Sequence, residues 1–286
     1  MKLRPVRWTL LLAALLLVLA ACGDMAGPEE PGTENPPDTE GPNPITADIT
    51  VTSTADSGEG SLRAAVAAAA AGNIIGFDDT VSGQTIALAS NIPLTKELTI
   101  SGDVTLDGGG ATNIFSVSEG AVVTLQDMTL TNGSALNIPF GLGGAIFNDG
   151  NLTLEAVTVS NSVANIGGGI FTDVDATTTL KGTTSVTENE ALRNEDSGAG
   201  LGGGVYVTNN ASLSIEELAT ITNNYAECCG GGVFISGGNI GLDNAGSISG
   251  NTAANVSGNT ALGPDGEGPN DVVTGDPVPA PEEDGD

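Results

Sequence analysis

The feature that most constrains the fold of this chain is a repeat between residues 125 and 253. Five segments align on an aliphatic residue that is followed five positions later by Ala, and the aliphatic positions are 29, 27, 35 and 27 residues apart. The aliphatic column is Leu130, Val159, Val186, Ile221 and Ile248; the alanine column is Ala135, Ala164, Ala191, Ala226 and Ala253; an earlier column is Leu125, Leu154, Leu180, Ile215 and Leu242. A unit of this length cannot bury its apolar side chains alone, whereas stacked units can, so the repeat predicts a solenoid.

Short glycine-rich strands follow four of these alanines. They span residues 143–147, 167–171, 202–206 and 230–234, and each runs from a glycine pair into an aliphatic residue and an aromatic ring. Alternation of apolar and small polar residues elsewhere in 48–256 indicates further strands with one buried face. We therefore predict an all-β chain whose body is a parallel β-helix, in which equivalent residues stack about 4.8 Å apart.

One segment of the body has helical character. Ser61 is a candidate N-cap for an alanine-rich run that reaches Ala71, and Gly72 is a candidate stop. We expect a short α-helix over Ser61–Ala71 near the start of the solenoid.

The repeat resembles that of the polymorphic outer-membrane proteins of the chlamydial type, whose short signatures are GGAI and FxxN. Gly143-Gly144-Ala145-Ile146 corresponds to the first signature, and Asn189, Asn224 and Asn251 correspond to the Asn of the second, with an aliphatic residue in place of the Phe. The segment Ser61-Leu62-Arg63-Ala64-Ala65-Val66 is similar to the CSLREA-type motif of bacterial β-helix proteins, without its Cys or Glu. The resemblance covers residues 48–256 and implies a right-handed parallel β-helix with an N-terminal helical cap; it implies no activity.

The N-terminus has the pattern of a bacterial lipoprotein signal. Three basic residues precede an apolar run from Trp8 to Val18, which is shorter than the roughly 20 residues that span a bilayer. The run ends in Leu19-Ala20-Ala21-Cys22, which resembles a lipobox. We predict a signal peptide over 1–21, a lipid on Cys22 and an exported protein anchored in the cell envelope, at the outer membrane or cell surface; an ordinary signal peptide before an unmodified Cys is the alternative.

Both ends of the mature chain lack apolar periodicity. Residues 22–47 are rich in Pro, Gly and Glu, and residues 257–286 are rich in Pro, Gly and acidic residues. Such composition cannot bury a core, so we predict a disordered tether and a disordered tail.

Charge and composition narrow the function classes. The net charge is −29, all acidic residues follow Cys22, and there is no His. A surface this acidic repels nucleic acid and phosphates, and a chain without His lacks the commonest metal ligand and general base. We predict no cofactor, no metal site, no catalytic residue and no nucleic-acid partner.

Four aromatic residues share one repeat column: Phe147, Phe171, Tyr206 and Phe234. If the preceding aliphatic residues point into the core, the rings point outward and form an exposed ladder that could stack on a glycan or a surface protein. If the faces are reversed, the rings form a stack inside the core, which suits the preference of Phe for burial.

Two further residue sets have structural interpretations. Asn189, Asn224 and Asn251 are expected to form a ladder that satisfies backbone groups at turns. The adjacent Cys228 and Cys229 either form a vicinal disulfide or remain two small buried thiols.

Two classes of function remain at this point. The first is a non-catalytic adhesin or display scaffold, which the absence of His and the scarcity of basic residues favour. The alternative is a polysaccharide lyase or glycoside hydrolase with a diverged site, because enzymes of both kinds adopt parallel β-helices. Fold alone does not decide between them.

Overall fold

The protein is a right-handed parallel β-helix of about seven turns, as the repeat and the resemblance predict. A computed structural model describes residues 46–193, 198, 200–242, 246–253 and 272–274. The predicted signal peptide, Cys22, nearly all of the tether and most of the tail lie outside these residues.

The first coils contain the helix and the two longest strands. In chain order their elements are β1 (Ile49–Val51), α1 (Leu62–Ala68), β2 (Asn73–Phe77), β3 (Thr85–Ala87), β4 (Ile92–Leu94), β5 (Leu98–Asp107), β6 (Phe115–Val117) and β7 (Val122–Thr131).

The later coils consist of shorter strands. After a single 3-10 turn at Pro139–Gly141 come β8 (Ile146–Asn148), β9 (Asn151–Glu155), β10 (Thr158–Ser160), β11 (Val163–Ala164), β12 (Ile170–Thr172), β13 (Thr177–Lys181), β14 (Ser185–Thr187), β15 (Glu190–Ala191), β16 (Val205–Val207), β17 (Ser212–Ile215), β18 (Thr220–Thr222), β19 (Tyr225–Ala226), β20 (Val233–Ile235), β21 (Asn239–Leu242), β22 (Ser247–Ser249), β23 (Thr252–Ala253) and β24 (Val272–Thr274).

Every strand pairs in parallel with its equivalent in the next coil, which gives three faces. The first face contains β1, β2, β9, β13, β17 and β21; the second contains β3, β10, β14, β18 and β22; the third contains β4, β6, β8, β12, β16, β20 and β24. The strands β5 and β7 run through both the first and the second face, and β7 turns between them at Asp127, whose φ is 56°. A short ladder of β11, β15, β19 and β23 lies between the second and third faces.

The predicted aliphatic columns form the core. Leu130, Val159, Val186, Ile221 and Ile248 are in one register, and all five are buried. The column that begins at Leu125 is in register on the first face, and the alanine column continues through the short ladder. The repeat alignment from the sequence is confirmed residue by residue along these columns.

The predicted N-terminal helix is present but shorter than expected. Ser61 is its N-cap, and its Oγ accepts a hydrogen bond from the Ala64 amide over 3.2 Å. The helix ends at Ala68, because Ala69 is extended and its carbonyl accepts a hydrogen bond from Nζ of Lys96 over 2.7 Å. The expected stop at Gly72 is therefore wrong by one turn, since a tertiary contact from the second coil ends the helix before the alanine run is complete.

A strand also lies within the segment predicted as tail. β24 pairs in parallel with β20, with Val272 opposite Val233. The segment Val272-Val273-Thr274 is β-branched throughout, a composition that favours strands over disorder. The other residues from 257 to 286 lie outside the described residues, and their disorder stays a prediction.

Among the described residues no helix is long and apolar enough to span a bilayer.

Candidate functional site

The third face and the corner beside it carry the aromatic column. Phe147, Phe171, Tyr206 and Phe234 occupy equivalent positions of β8, β12, β16 and β20. Each follows an aliphatic residue that is fully buried in the main core, such as Ile170 before Phe171. Because neighbouring strand residues face opposite sides, the rings point away from the main core.

The rings nevertheless are not exposed. Phe171, Tyr206 and Phe234 retain only 5%, 4% and 6% of their accessible surface, and Phe147 is half-buried. They are covered by a second apolar column at the corner before the third face, and the two columns form a cluster separate from the main core. This second column consists of Leu142, Ile166, Leu201 and Cys229, which are joined coil to coil by isolated parallel bridges.

Both alternatives derived from the sequence therefore need correction. The rings point outward, as the exposed ladder requires, but they are buried, as the core stack requires. The alternation of the strand decides where a ring points, and the corner column decides whether water reaches it. Glycan binding by these rings stays a prediction.

The rings stack face to face along the axis. Their centroids are 5.5 Å apart for Phe147–Phe171 and 5.4 Å apart for the two pairs that include Tyr206, with planes within 8° of parallel. Both faces of Phe171 and of Tyr206 therefore contact another ring of the column. A flat sugar could reach a ring face only at an end of this stack.

The glycine pairs bring the corner column over the rings. Gly167, with φ of 67°, adopts the left-handed conformation that glycine tolerates, and it turns the chain into β12. Gly168 lies so close to the next coil that a Cβ there would meet the carbonyl oxygens of Glu190 and Gly203. The repeated glycine pair is thus required by a tight turn and a close approach of backbones.

The sequence contained a signal for the covering column that the aromatic argument missed. An apolar residue directly precedes the glycine pair in every repeat, as in Leu142-Gly143-Gly144 and Leu201-Gly202-Gly203. Its regular position predicts an inward or covered side chain as clearly as the aliphatic columns do.

Cys228 and Cys229 lie at the end of this corner. The structure joins them in a disulfide between adjacent residues. Cys229 is 9% exposed and packs in the cluster with the rings, with Cys228 against its edge.

The asparagines lie at the turn between the second face and the short ladder. Asn189, Asn224 and Asn251 are buried and in successive coils. The Nδ2 of Asn224 donates to the carbonyl oxygens of Val186 and Thr222 over 2.9 and 3.0 Å, and Asn189 and Asn251 make the corresponding pair of bonds.

The ladder extends one coil further than the Asn pattern indicates. Ser162 occupies the equivalent position in the preceding coil, where its amide donates to Oδ1 of Asn189 over 3.1 Å. Its own Oγ accepts from the amide of Gly133, the equivalent residue one coil earlier. The spacing could have identified Ser162 and Gly133 as members of the ladder, because each lies three positions after a residue of the aliphatic column, as the asparagines do.

Acidic side chains gather at the turn between the third and first faces. Partial burial raises the pKa of the Asp149 carboxyl, and the nearby charges of Asp173 and Glu119 raise it further. Within the described ranges no group of three or more His, Cys, Asp or Glu side chains is arranged to hold a metal ion.

A shallow groove lies where the first face meets the second. Its volume is about 340 Å³, and it is lined by Asp103, Asp127, Met128, Thr129, Ala156 and Thr158. Asp103 and Asp127 directly precede Val104 and Met128, which are paired, so the two carboxylates belong to successive coils.

Compared with known proteins, the chain matches no family model, no curated protein and no solved structure.

Proposed function

We propose that this chain is an exported bacterial lipoprotein whose β-helix is a non-catalytic scaffold that displays a surface, in the manner of an adhesin. The observation that carries the proposal is the use of the repeated side chains. Asn224 bonds its equivalents in both neighbouring coils, and Tyr206 stacks on its equivalents in both neighbouring coils. Repeated side chains that bond each coil to the next stiffen the solenoid. A stiff solenoid holds the residues of its outer faces in fixed register.

The attachment rests on the N-terminal sequence. Leu19-Ala20-Ala21-Cys22 follows an apolar run of signal length, and Cys22 lies outside the described residues. Lipid on Cys22, followed by the tether over 22–47, would hold the β-helix away from the membrane. The similarity of the repeat to the chlamydial-type polymorphic outer-membrane proteins supports a location in the envelope and a partner that is a glycan or a surface protein.

Metabolic labelling tests the anchor. Cells that express the protein are grown with a fatty-acid analogue, and label on the wild-type chain is compared with label on Cys22→Ser. We expect label on the wild type alone, with the wild type in the membrane fraction. A labelled Cys22→Ser chain, or an unlabelled wild type, would contradict the proposal.

One observation favours the enzymatic alternative. Asp103 and Asp127 line the same groove in successive coils, and paired carboxylates are what glycoside hydrolysis requires. The purified chain should release no unsaturated or reducing sugar ends from pectin, alginate or peptidoglycan, with or without Ca²⁺. Turnover that Asp127→Asn abolishes, while Asp175→Asn at another exposed turn leaves it unchanged, would replace the scaffold with an enzyme.

A further inference from the structure

The outer side of the second face carries two columns of hydroxyl side chains. On each of its strands the central residue is buried, and the residues before and after it lie on the outer side. Ser160 is the one of these outward residues that is buried. From β7 to β22 every outward position is Thr or Ser: one column is Thr129, Thr158, Ser185, Thr220 and Ser247, and the other is Thr131, Ser160, Thr187, Thr222 and Ser249. The first column continues through Thr105 to Thr85 in the earlier coils.

The ten hydroxyl residues from β7 to β22 carry no charge, in a chain that is otherwise strongly acidic; the carboxylates of Asp103 and Asp127 lie beside one edge of the array, in the groove that Thr129 and Thr158 also line. The sequence has 36 Asp and Glu, yet Asp107 is the only charged residue in either column between β3 and β22. The first face also has a hydroxyl column, which consists of Thr99, Thr124, Thr153, Thr179 and Ser214. The column beside it, however, contains Gln126, Glu155 and Lys181 in succession. The aromatic column of the third face is covered. The second face therefore differs from the first in having hydroxyl residues in both adjacent outward columns.

The array is a two-dimensional grid. Equivalent residues of paired strands are about 4.8 Å apart, and the two hydroxyl residues of one strand are about 6.6 Å apart, from strand geometry. Along the columns Ser160 donates to Thr131 over 3.3 Å, and Thr222 donates to Thr187 over 3.5 Å. A hydroxyl has one proton and two lone pairs, so every hydroxyl of the grid that is accessible, all but that of Ser160, still has bonding capacity for water outside the column.

The grid is held rigid from below and from the side. Beneath each hydroxyl pair lies a fully buried aliphatic residue, such as Ile221 between Thr220 and Thr222. At the adjoining corner the asparagine ladder bonds the backbone of the second column, since Asn189 bonds the carbonyl of Thr187 and Asn224 that of Thr222, both over 3.0 Å. A surface so fixed can order water without first losing conformational freedom itself.

We propose that this second face binds ice. A ligand can form hydrogen bonds to every coil of this uncharged grid at once only if its own hydrogen-bonding groups repeat at about the same distances. The repeat along the columns lies close to the oxygen repeat of hexagonal ice along its a axis. The repeat between the two columns is shorter than the ice repeat along the c axis, but only two columns have to be matched in that direction. The methyl groups of the threonines lie beside the hydroxyls. Water over the face can therefore form hydrogen bonds with the hydroxyls and form an ordered cage over the methyl groups. This inference rests on the display-scaffold proposal, because it names the displayed face and its ligand.

Partition into growing ice tests the proposal. The full chain is purified in a Cys22→Ser background, so that the result does not depend on the anchor, and is fluorescently labelled at its amines. A cooled probe grows an ice hemisphere slowly in the solution, and the concentration in ice is compared with that in the remaining liquid. We expect enrichment in ice, together with shaped crystals and slower recrystallisation.

Two matched variants locate the site. Thr222→Tyr places a ring on the grid, on its last strand but one, and should reduce the chain in ice to the level of an excluded protein. Thr179→Tyr is the control, because Thr179 is an equally half-buried outward threonine on the first face. Thr129→Tyr, several coils away on the second face, should reproduce the loss, and circular dichroism melting identifies any variant that fails to fold.

Each possible outcome of these experiments either supports or contradicts the proposal. Exclusion of the wild-type chain from ice overturns the proposal, as does equal loss in folded Thr179→Tyr and Thr222→Tyr. Binding to crystalline cellulose or chitin without enrichment in ice would show a different periodic ligand and also overturns it. A chain that enriches in ice but carries no lipid on Cys22 in the labelling experiment would leave this inference standing and remove the anchor.

Discussion

Asn189 donates a hydrogen bond from its Nδ2 to Oδ1 of Asn224 over 3.0 Å, and Asn224 repeats the bond to Asn251 over 2.9 Å. Each Oδ1 also accepts from the backbone amide of the equivalent residue in the preceding coil, as Asn224 does from Asn189 over 3.0 Å and Asn189 does from Ser162 over 3.1 Å. One buried side chain thus bonds the backbone of its own coil and of the preceding one. The ladder stabilises the corner next to the hydroxyl face.

Replacement of Asn224 by Ala should destabilise the β-helix strongly. The change leaves the buried carbonyls of Val186 and Thr222 and the amide of Asn189 without their partner. Unsatisfied buried groups cost 1–3 kcal/mol each before relaxation, so we expect the free energy of unfolding to fall by about 2–4 kcal/mol. Urea denaturation measures the loss, and Asn151→Ala, at an exposed position of β9, should change it little. An Asn224→Ala chain as stable as the wild type would mean that water replaces the ladder.

Charge at the aliphatic column distinguishes the inside of the coil from its outer wall. Val186 is fully buried, while its neighbour Ser185 is half-buried and points outward. Val186→Asp buries an unpaired carboxylate and should lower the free energy of unfolding by several kcal/mol, about 4 or more. Ser185→Asp adds the same charge outside and should stay within about 0.5 kcal/mol. Equal melting temperatures for the two variants would contradict the register of β14.

The fold could be predicted from the sequence where a column repeats one chemical property. Leu130 and its equivalents share size and apolarity, so their alignment predicts the register of the second face. Ser162 and Gly133 share a place in the ladder with Asn189 but not its side chain, so identity alone could not place them. The end of α1 could not be predicted because it depends on Lys96, which is distant in sequence and near in space.

The aromatic column shows the other limit. Strand alternation correctly sets the direction of Tyr206, but its burial depends on Leu201 and Cys229 at a corner that strand periodicity does not describe. Whether a surface column is covered is decided by the loops beside it. The hydroxyl columns of the second face remain accessible except at Ser160, since their strands are flanked by tight turns such as that at Asn223.

High pH should act on the aromatic column through Tyr206. Burial raises the pKa of its hydroxyl above the ordinary value of 10.0, with a smaller opposing effect from a hydrogen bond with Ser236. The unfolded chain therefore releases this proton first, so the contribution to stability is complete below pH 10 and is lost as the pH rises through the folded-state pKa. Tyr206→Phe keeps the stack and should flatten the decline in melting temperature above pH 10. Tyr225→Phe is the control, and an equal effect of both variants would contradict this assignment.

The last prediction concerns backbone conformation at the corner beside the asparagine ladder. Asn132, Asn161, Glu188, Asn223 and Gly250 occupy this position in successive coils, all with positive φ, and Glu188 has φ of 57°.

Glu188 is the only one of these five that is neither Asn nor Gly, the residues that tolerate the left-handed region. Glu188→Asn should therefore raise the free energy of unfolding by about 0.5–1 kcal/mol. Removal of one negative charge from so acidic a chain could raise stability by itself, and Glu190→Asn controls for that, because Glu190 is equally exposed but lies in β15 with extended backbone. Since Asn is disfavoured in strands, the control should gain nothing. Equal gains in the two variants, measured by urea denaturation at one ionic strength, would assign the effect to charge and leave no role for the backbone at this corner.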